Sequence, residues 1–348
     1  MRNNQMQKEI IRMDQTQHNP RLNSSELSQL WTSYMQDSMT ICTTKHFMQI
    51  VEDADIRPVI QQTLTLVEAR IPKLTALFQA DNRPVPFGFS DQDVDLQAPR
   101  LFSDEFMLNN IKQTAQMAMQ MNAQAIALCA RQDVRDYFSE SLQEATQLHD
   151  EAMNVLLSKG IYVRAPFMDT PDQVDFVTKQ SFLAGWFGEQ RPLLSLEIAN
   201  LYANTQRNAL GSHLLTGYSQ VAKSNKVQKY FKRGKEISSK HVQTFTTKLQ
   251  KEGLPASMLP DEPVTNSTVS PFSDKLMLFQ SLGLNQIGIA YYGTSVSTAL
   301  RHDLAALYPR LMAEIAKYAE DGANLMIENG WLEEPPRMID HDQIAKKS

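Results

Sequence analysis

Phe102-Ser103-Asp104-Glu105-Phe106-Met107-Leu108 opens a stretch that runs to Gly160, and the chain repeats that stretch. It returns 170 residues later as Phe272-Ser273-Asp274-Lys275-Leu276-Met277-Leu278, with Arg131 and Asp133 recurring as Arg301 and Asp303 and Gly160 as Gly330. The chain is therefore a tandem duplication, and each copy builds the same unit. In the first copy Met107, Ile111, Thr114, Ala118, Met121, Ala125 and Leu128 alternate steps of three and four, as do Val134, Phe138, Ser141, Ala145, Leu148, Ala152 and Val155. Steps of that size keep side chains on one face of a helix, so each run predicts an amphipathic helix. The second stripe recurs as Leu304, Tyr308, Leu311, Ile315, Tyr318, Gly322 and Leu325. Only Gln132 separates Arg131 from Asp133, which demands a tight antiparallel hairpin, with Arg131 suited to the negative end of one helix and Asp133 to capping the next.

Two more helices precede this hairpin. Ser24 or Ser25 is placed to cap the first, whose stripe is Leu27, Leu30, Tyr34, Ser38, Ile41, Lys45 and Met48. The second turns Ile60, Leu64, Val67, Ile71, Leu74 and Phe78 inward, with Pro58 in its first turn and Pro72 placed to kink it. Arg83 to Leu101 is then rich in Pro, Gly and Asp, and a similar connection runs from Leu254 to Pro271. A four-helix bundle needs such a crossover when its second and third helices run parallel. About twenty extended residues reach roughly 65 Å, more than the roughly 42 Å of a 28-residue helix. After the crossover Ser103 caps the third helix, and Phe102 is placed to reach Met107 as a hydrophobic staple. The second copy is aligned by Glu26 with Glu197, Leu30 with Leu201 and Pro84 with Pro255.

The expected fold is all-α: two tandem ferritin-like four-helix bundles, each up-down-down-up with a long crossover. Residues 1–22 read as a disordered tail, 23–161 as the first bundle, 162–188 as an inter-bundle segment, 189–331 as the second bundle and 332–348 as a carboxy-terminal tail. Phe182, Trp186 and Phe187 are expected to pack between the bundles.

Composition narrows the function by exclusion. The chain has 348 residues, 42% of them hydrophobic, and its apolar runs are far shorter than a membrane span. Met1 to Asn23 lacks the apolar core of a secretory signal, so a cytoplasmic location is expected. Cys42 and Cys129 read as reduced core thiols. A net charge of -5 gives no reason to expect nucleic acid as a partner.

The bundle plan often carries a di-metal centre built from inward Glu and Glu-x-x-His sets. None of the seven histidines has an acidic residue three positions before it, and Tyr34, Ser38, Val67, Ala118, Met121 and Ala145, with Thr205, Ala209, Ser238, Gly288, Tyr291 and Ile315, carry no carboxylate at mid-bundle. No catalytic, cofactor-binding or metal-ligating residue is assigned, and no cofactor is expected. Cys42 and His46 lie one turn apart, but a core thiol beside a boundary histidine is the favoured reading. His241 stands where the first copy has Arg70 and reads as a hydrogen-bonded core or boundary histidine. Glu144 and Glu314 flank their stripes as solvated or paired carboxylates. Gly211, Gly217, Gly234, Gly283, Gly288 and Gly293 crowd the second bundle, for close helix packing in the first instance or for a small-molecule cavity in the second.

The motifs at Phe102-Ser103-Asp104, the Arg-x-Asp corners at Arg131 and Arg301, Gly185-Trp186-Phe187-Gly188 and Gly330-Trp331-Leu332-Glu333-Glu334-Pro335-Pro336 resemble an uncharacterised family of duplicated ferritin-like proteins from endospore-forming bacteria. The resemblance covers about residues 23 to 340. It implies a distant relation to coat-F type spore coat proteins, an association with sporulation and no catalytic residues. The expected function is a non-catalytic structural or interaction protein. A ferritin-like metal-dependent oxidoreductase with non-standard ligands such as His46 or His241, or small-molecule binding by the second bundle, stands as the alternative. Expected partners are further copies of the chain or other spore proteins. The basic strip Lys223, Lys226, Lys229, Lys232, Arg233, Lys235, Lys240, Lys248 and Lys251, set against acids at Asp91, Asp93, Asp95, Asp104 and Glu105, would steer such contacts or simply face water, the favoured reading for the strip alone.

Overall fold

A computed structural model describes residues 20–186, 190–255 and 263–340. Most of the expected tail 1–22, Phe187 and residues 341–348 lie outside them. Eight long helices follow in order: α1 (Ser24–Ile50), α2 (Arg57–Ala80), α3 (Asp104–Leu128), α4 (Gln132–Ser158), α5 (Ser195–Val221), α6 (Asn225–Lys251), α7 (Asp274–Thr298) and α8 (His302–Glu328). They form two tandem four-helix bundles, with α2 and α3 of the first bundle running parallel. One end of that bundle gathers the start of α1, the end of α2 and the α3–α4 corner, because Glu26 accepts from the Ala130 and Arg131 N–H groups while Arg131 reaches Asp81. At the other end Asp104, opening α3, accepts from the Glu52 and Asp53 N–H groups between α1 and α2. The second bundle repeats both arrangements with Glu197, Arg301, Glu252 and Asp274.

Several local expectations change. Asn23, not Ser24 or Ser25, caps α1, in a reciprocal box with Glu26. Arg131 is itself the N-cap residue of α4, and Asp133 serves as its ion-pair partner instead of capping the helix. Phe102 stacks on the Phe106 ring at 4.3 Å, while Ser103 and Ser273 cap α3 and α7 as expected. α2 continues through an exposed Pro72. Gly330 follows α8 with φ +67°, the left-handed turn that glycine adopts freely.

The two copies meet across a pseudo-two-fold axis. Val94 bridges Phe272, and its duplicate Val264 bridges Phe102. The Asp95 N–H donates to Pro271 O at 2.8 Å, and the duplicate bond runs from Thr265 to Leu101 at 3.0 Å. Ser273 donates to Asp93 O at 3.0 Å, and Ser103 to Pro263 O at 2.8 Å. Each crossover thus pairs with the start of the other copy's third helix, the reciprocal pattern of an isologous dimer formed within one chain.

Packing follows from that axis. The largest apolar cluster spans both copies, joining Met39, Phe102, Met107, Leu214, Phe272 and Tyr318, while smaller clusters fill the distal ends. α1 and α5 are consequently buried around much of their circumference: Asp37, Thr43, Thr44 and His46 of α1 are all buried, whereas Tyr34, Ile41, Lys45 and Met48 are only half-buried. The single stripe expected for α1 is replaced by a helix enclosed by two bundles. Leu128, assigned to the α3 stripe, is 48% exposed because it falls in the last turn beside the corner. Phe182 packs under the Arg191 guanidinium and Trp186 stacks on His302, so this apolar patch covers the α7–α8 corner and does not lie between the bundles. Among the described residues no helix is long and apolar enough to cross a membrane.

Candidate functional site

At mid-height of the first bundle α1, α2 and α4 each send one charged group inward. Arg70 lies 2.7 Å from Glu144 and 3.6 Å from Asp37. Asp37 was invisible to the stripe analysis because it faces inward from a helix that lacks a single apolar stripe. The duplicated positions in the second bundle are Asn208, His241 and Glu314. His241 is fully buried, with Nδ1 2.9 Å from the Tyr292 hydroxyl and Nε2 3.1 Å from Glu314. Asn208 donates to the same Tyr292 hydroxyl at 2.8 Å. Burial holds His241 below the usual imidazole range although Glu314 pulls the other way. The neutral ring that follows donates from Nε2 to Glu314 and accepts at Nδ1 from Tyr292. Glu314 is held below the usual carboxylate range: its partial burial acts upward, but Lys240 and His241 outweigh it.

These residues do not fit a di-metal centre. A guanidinium occupies the place between the first bundle's carboxylates, and the second bundle offers one histidine and one carboxylate already bonded to each other. No group of three or more His, Cys, Asp or Glu side chains suited to a metal occurs among the described residues. Cys42 bonds to the Ser90 carbonyl at 3.3 Å. His46 is deeply buried instead of lying at the boundary, edge-on to Phe272, with neither ring nitrogen in a well-formed hydrogen bond. At the duplicated position Gly217 lies so close to Phe102 that a Cβ would come within 2.6 Å of the ring. Burial pushes both thiols up, Cys42 to about 12 and Cys129 to about 11, which keeps them protonated and unreactive at neutral pH.

Asp37 and His46 give opposite pH dependences. Burial lifts the Asp37 carboxyl from 3.8 to about 6 against the pull of Arg70, and its Oδ2 is unpartnered. The folded chain holds this proton more tightly than the unfolded chain, so the penalty is full above about 6 and fades as pH falls toward 3.8. Asp37→Asn, which installs the second copy's residue, should raise stability at pH 7 by about 1–3 kcal/mol and change little near pH 4. For His46, burial lowers the imidazole from 6.5 to about 4, so stability present above 6.5 is lost as pH falls toward 4. His46→Gln should therefore lessen the acid loss that Asp37→Asn exposes. Urea titrations at pH 7 and pH 4.5 measure both, and effects equal at the two pH values would refute the assignment.

Five of the six glycines singled out, together with Gly322, fall into two groups, and Gly293 has nothing within 4 Å of where its Cβ would stand. Gly217, Gly234 and Gly322 are close-approach positions, where a Cβ would collide with Phe102, Tyr318 and Tyr230 respectively. Gly211, Gly283 and Gly288 have room for a Cβ and, with Gly234, Ile237 and Ser238 of α6, line a chamber of about 110 Å³ where α5, α6, α7 and α8 face α1 and α3.

Four of the nine cations of the basic strip are paired within the chain. Lys226, Arg233 and Lys240, spaced by seven, meet Glu328, Asp321 and Glu314, spaced by seven on antiparallel α8, and Lys248 meets Asp303. Matching heptad spacings of opposite sign were the sequence signal for this ladder. The acids of the crossover are engaged too: Asp91 with Lys45, Asp93 with Ser273, and Asp104 with two backbone N–H groups.

Fold and site together define a class: a duplicated, pseudo-symmetric pair of four-helix bundles whose inward polar groups are paired with one another. The chain belongs to the family described as protein of unknown function (DUF3231), whose model matches residues 11–174 and again 181–344. No curated protein matches. Among solved structures, the chain is similar at 18% identity to a Bacillus halodurans protein provisionally assigned to the spore coat, determined at 1.54 Å. The match covers 44% of this chain and 98% of that one, with a TM-score of 0.40.

Proposed function

We propose that the protein is a non-catalytic structural or interaction protein associated with sporulation or the spore coat. The observation that supports this reading is the commitment of the mid-bundle polar groups to one another: Arg70 to Glu144 and Asp37, and His241 to Tyr292 and Glu314. Side chains already bonded to one another are committed within the chain, whereas activating a substrate or oxygen would require breaking those bonds. In this reading 23–161 and 189–331 are the two structural units, 162–188 is their joint, and the protein works in the cytoplasm or on the spore with copies of itself or other spore proteins. The sporulation component follows from the family resemblance alone.

Elemental analysis of protein purified without chelator tests the competing metal oxidoreductase. Iron, manganese and zinc should fall well below one atom per chain, and two metals per bundle would overturn the proposal. In a sporulating host a fluorescent fusion should concentrate at the developing spore, and an even cytoplasmic signal throughout sporulation would remove the spore component. Self-association steered by the α6 strip is a poorer guide than its composition suggests. Lys226→Glu or Arg233→Glu would set like charges against Glu328 or Asp321 inside the chain before altering any contact between chains.

A further inference from the structure

We propose that the chamber between the bundles binds a small organic carboxylate, its apolar body held among Gly211, Gly283, Gly288 and Ile315 and its carboxylate held by Arg207 and Lys112. The inference is independent of the scaffold reading. The chamber measures about 110 Å³, and Arg207 lines both it and an adjoining cleft of about 130 Å³ that also contains Lys112. A cavity of about 150 Å³ holds a benzene molecule, so this one suits a body no larger than a short alkyl chain or a small ring.

The charges in this corner lack a counter-ion. The Arg207 guanidinium lies over the Tyr291 ring at 3.2 Å and reaches the Asn204 amide oxygen at 3.3 Å, while its Nε is buried without a hydrogen bond. Neither Arg207 nor Lys112 forms an ion pair among the described residues, unlike Arg70, Arg131, Arg191 and Arg301. Burial first, and then the charge of Arg207, lowers Lys112 from the usual ammonium range, and burial also lowers Arg207. His149 feels the Lys112 charge as well, and its own acidic neighbour, Asp150, is exposed and 3.9 Å away.

The duplication shows that the fold does not need these cations. The positions related to Arg207 and Lys112 are Gln36 and Leu282, both neutral, on the opposite side of the same pseudo-two-fold axis. Two partly desolvated like charges lining one cleft are unfavourable alone and become favourable when an anion binds between them. A carboxylate matches the planar guanidinium fork in two parallel hydrogen bonds. Its apolar body would fill volume that the three glycines leave open.

Isothermal titration of the full chain with hexanoate and benzoate tests the proposal, with hexan-1-ol, benzyl alcohol and inorganic phosphate as controls. At least one carboxylate should bind saturably and at least tenfold more tightly than its alcohol and than phosphate. Arg207→Gln, which copies the first bundle's residue and should fold, should weaken that binding at least tenfold, and Lys112→Gln should weaken it less. Gly288→Leu should abolish binding by filling the chamber, and Gly288→Ala should retain it. No saturable binding of either carboxylate at millimolar concentration, alcohols or phosphate binding as tightly as the carboxylates, or undiminished binding by Arg207→Gln would overturn the proposal.

Discussion

Arg301→Ala should cost the second bundle about 3–5 kcal/mol, more than Arg131→Ala costs the first, although the two arginines are duplicates. Arg301 is among the most deeply buried large side chains in the chain. It bonds to Asp303 and Glu252 at 2.8 Å each and to the Arg191 carbonyl at 3.1 Å. Its removal leaves Asp303, whose carboxylate is 4% exposed, with Lys248 alone. Around Arg131 the corresponding Asp133 side chain is 45% exposed and can be hydrated once its partner is gone, while the second partner, Asp81, is 6% exposed but keeps the Leu22 N–H and Arg83. Charge burial, and not the shared Arg-x-Asp pattern, sets the difference. Asp303 is held below the usual carboxylate range: burial acts upward, but Lys248 and Arg301 outweigh it. Its contribution is therefore present at neutral pH and lost as pH falls through the lowered folded value. Calorimetric melting of both variants at pH 7 measures the difference. Equal losses, or an Arg301→Ala melting temperature within about 1 °C of wild type, would refute it.

Ala145→Glu should destabilise by about 3–5 kcal/mol, and Ile315→Glu, its duplicate position, by about 1–2 kcal/mol less. Both residues lie on the inward stripe, at 2% and 7% exposure, so from the stripe alone their costs are equal. Ala145 is buried and lines neither the chamber nor the adjoining cleft, so a longer charged side chain there must displace its neighbours. Ile315 borders the chamber, where a glutamate of similar length fits and can recover hydration. Urea unfolding separates the cases. Unchanged stability in both variants would show the stripes misplaced, and equal losses would show that the chamber does not accommodate the carboxylate.

The sequence by itself determined the duplication, the eight helices, the crossovers and the caps at Ser103 and Ser273. All of these depend on local chain chemistry or on periodicity along one helix, which a linear record preserves. Their stripes were legible in α4 and α8, which bury a single face. They were not legible in α1 and α5, because the axis between the copies buries a second face of each, which sets His46 against Phe272 of the other copy, while Asp37 and Glu197 lie inside their own bundles. Tertiary structure alone decided which charges share an interior, since Asp37, Arg70 and Glu144 come from three helices and their ion pairing depends on the distance between helices. It also decided which glycines permit contact and which leave a chamber, because that depends on what faces the missing side chain: the Tyr318 hydroxyl at Gly234, and space beside Ile315 at Gly288.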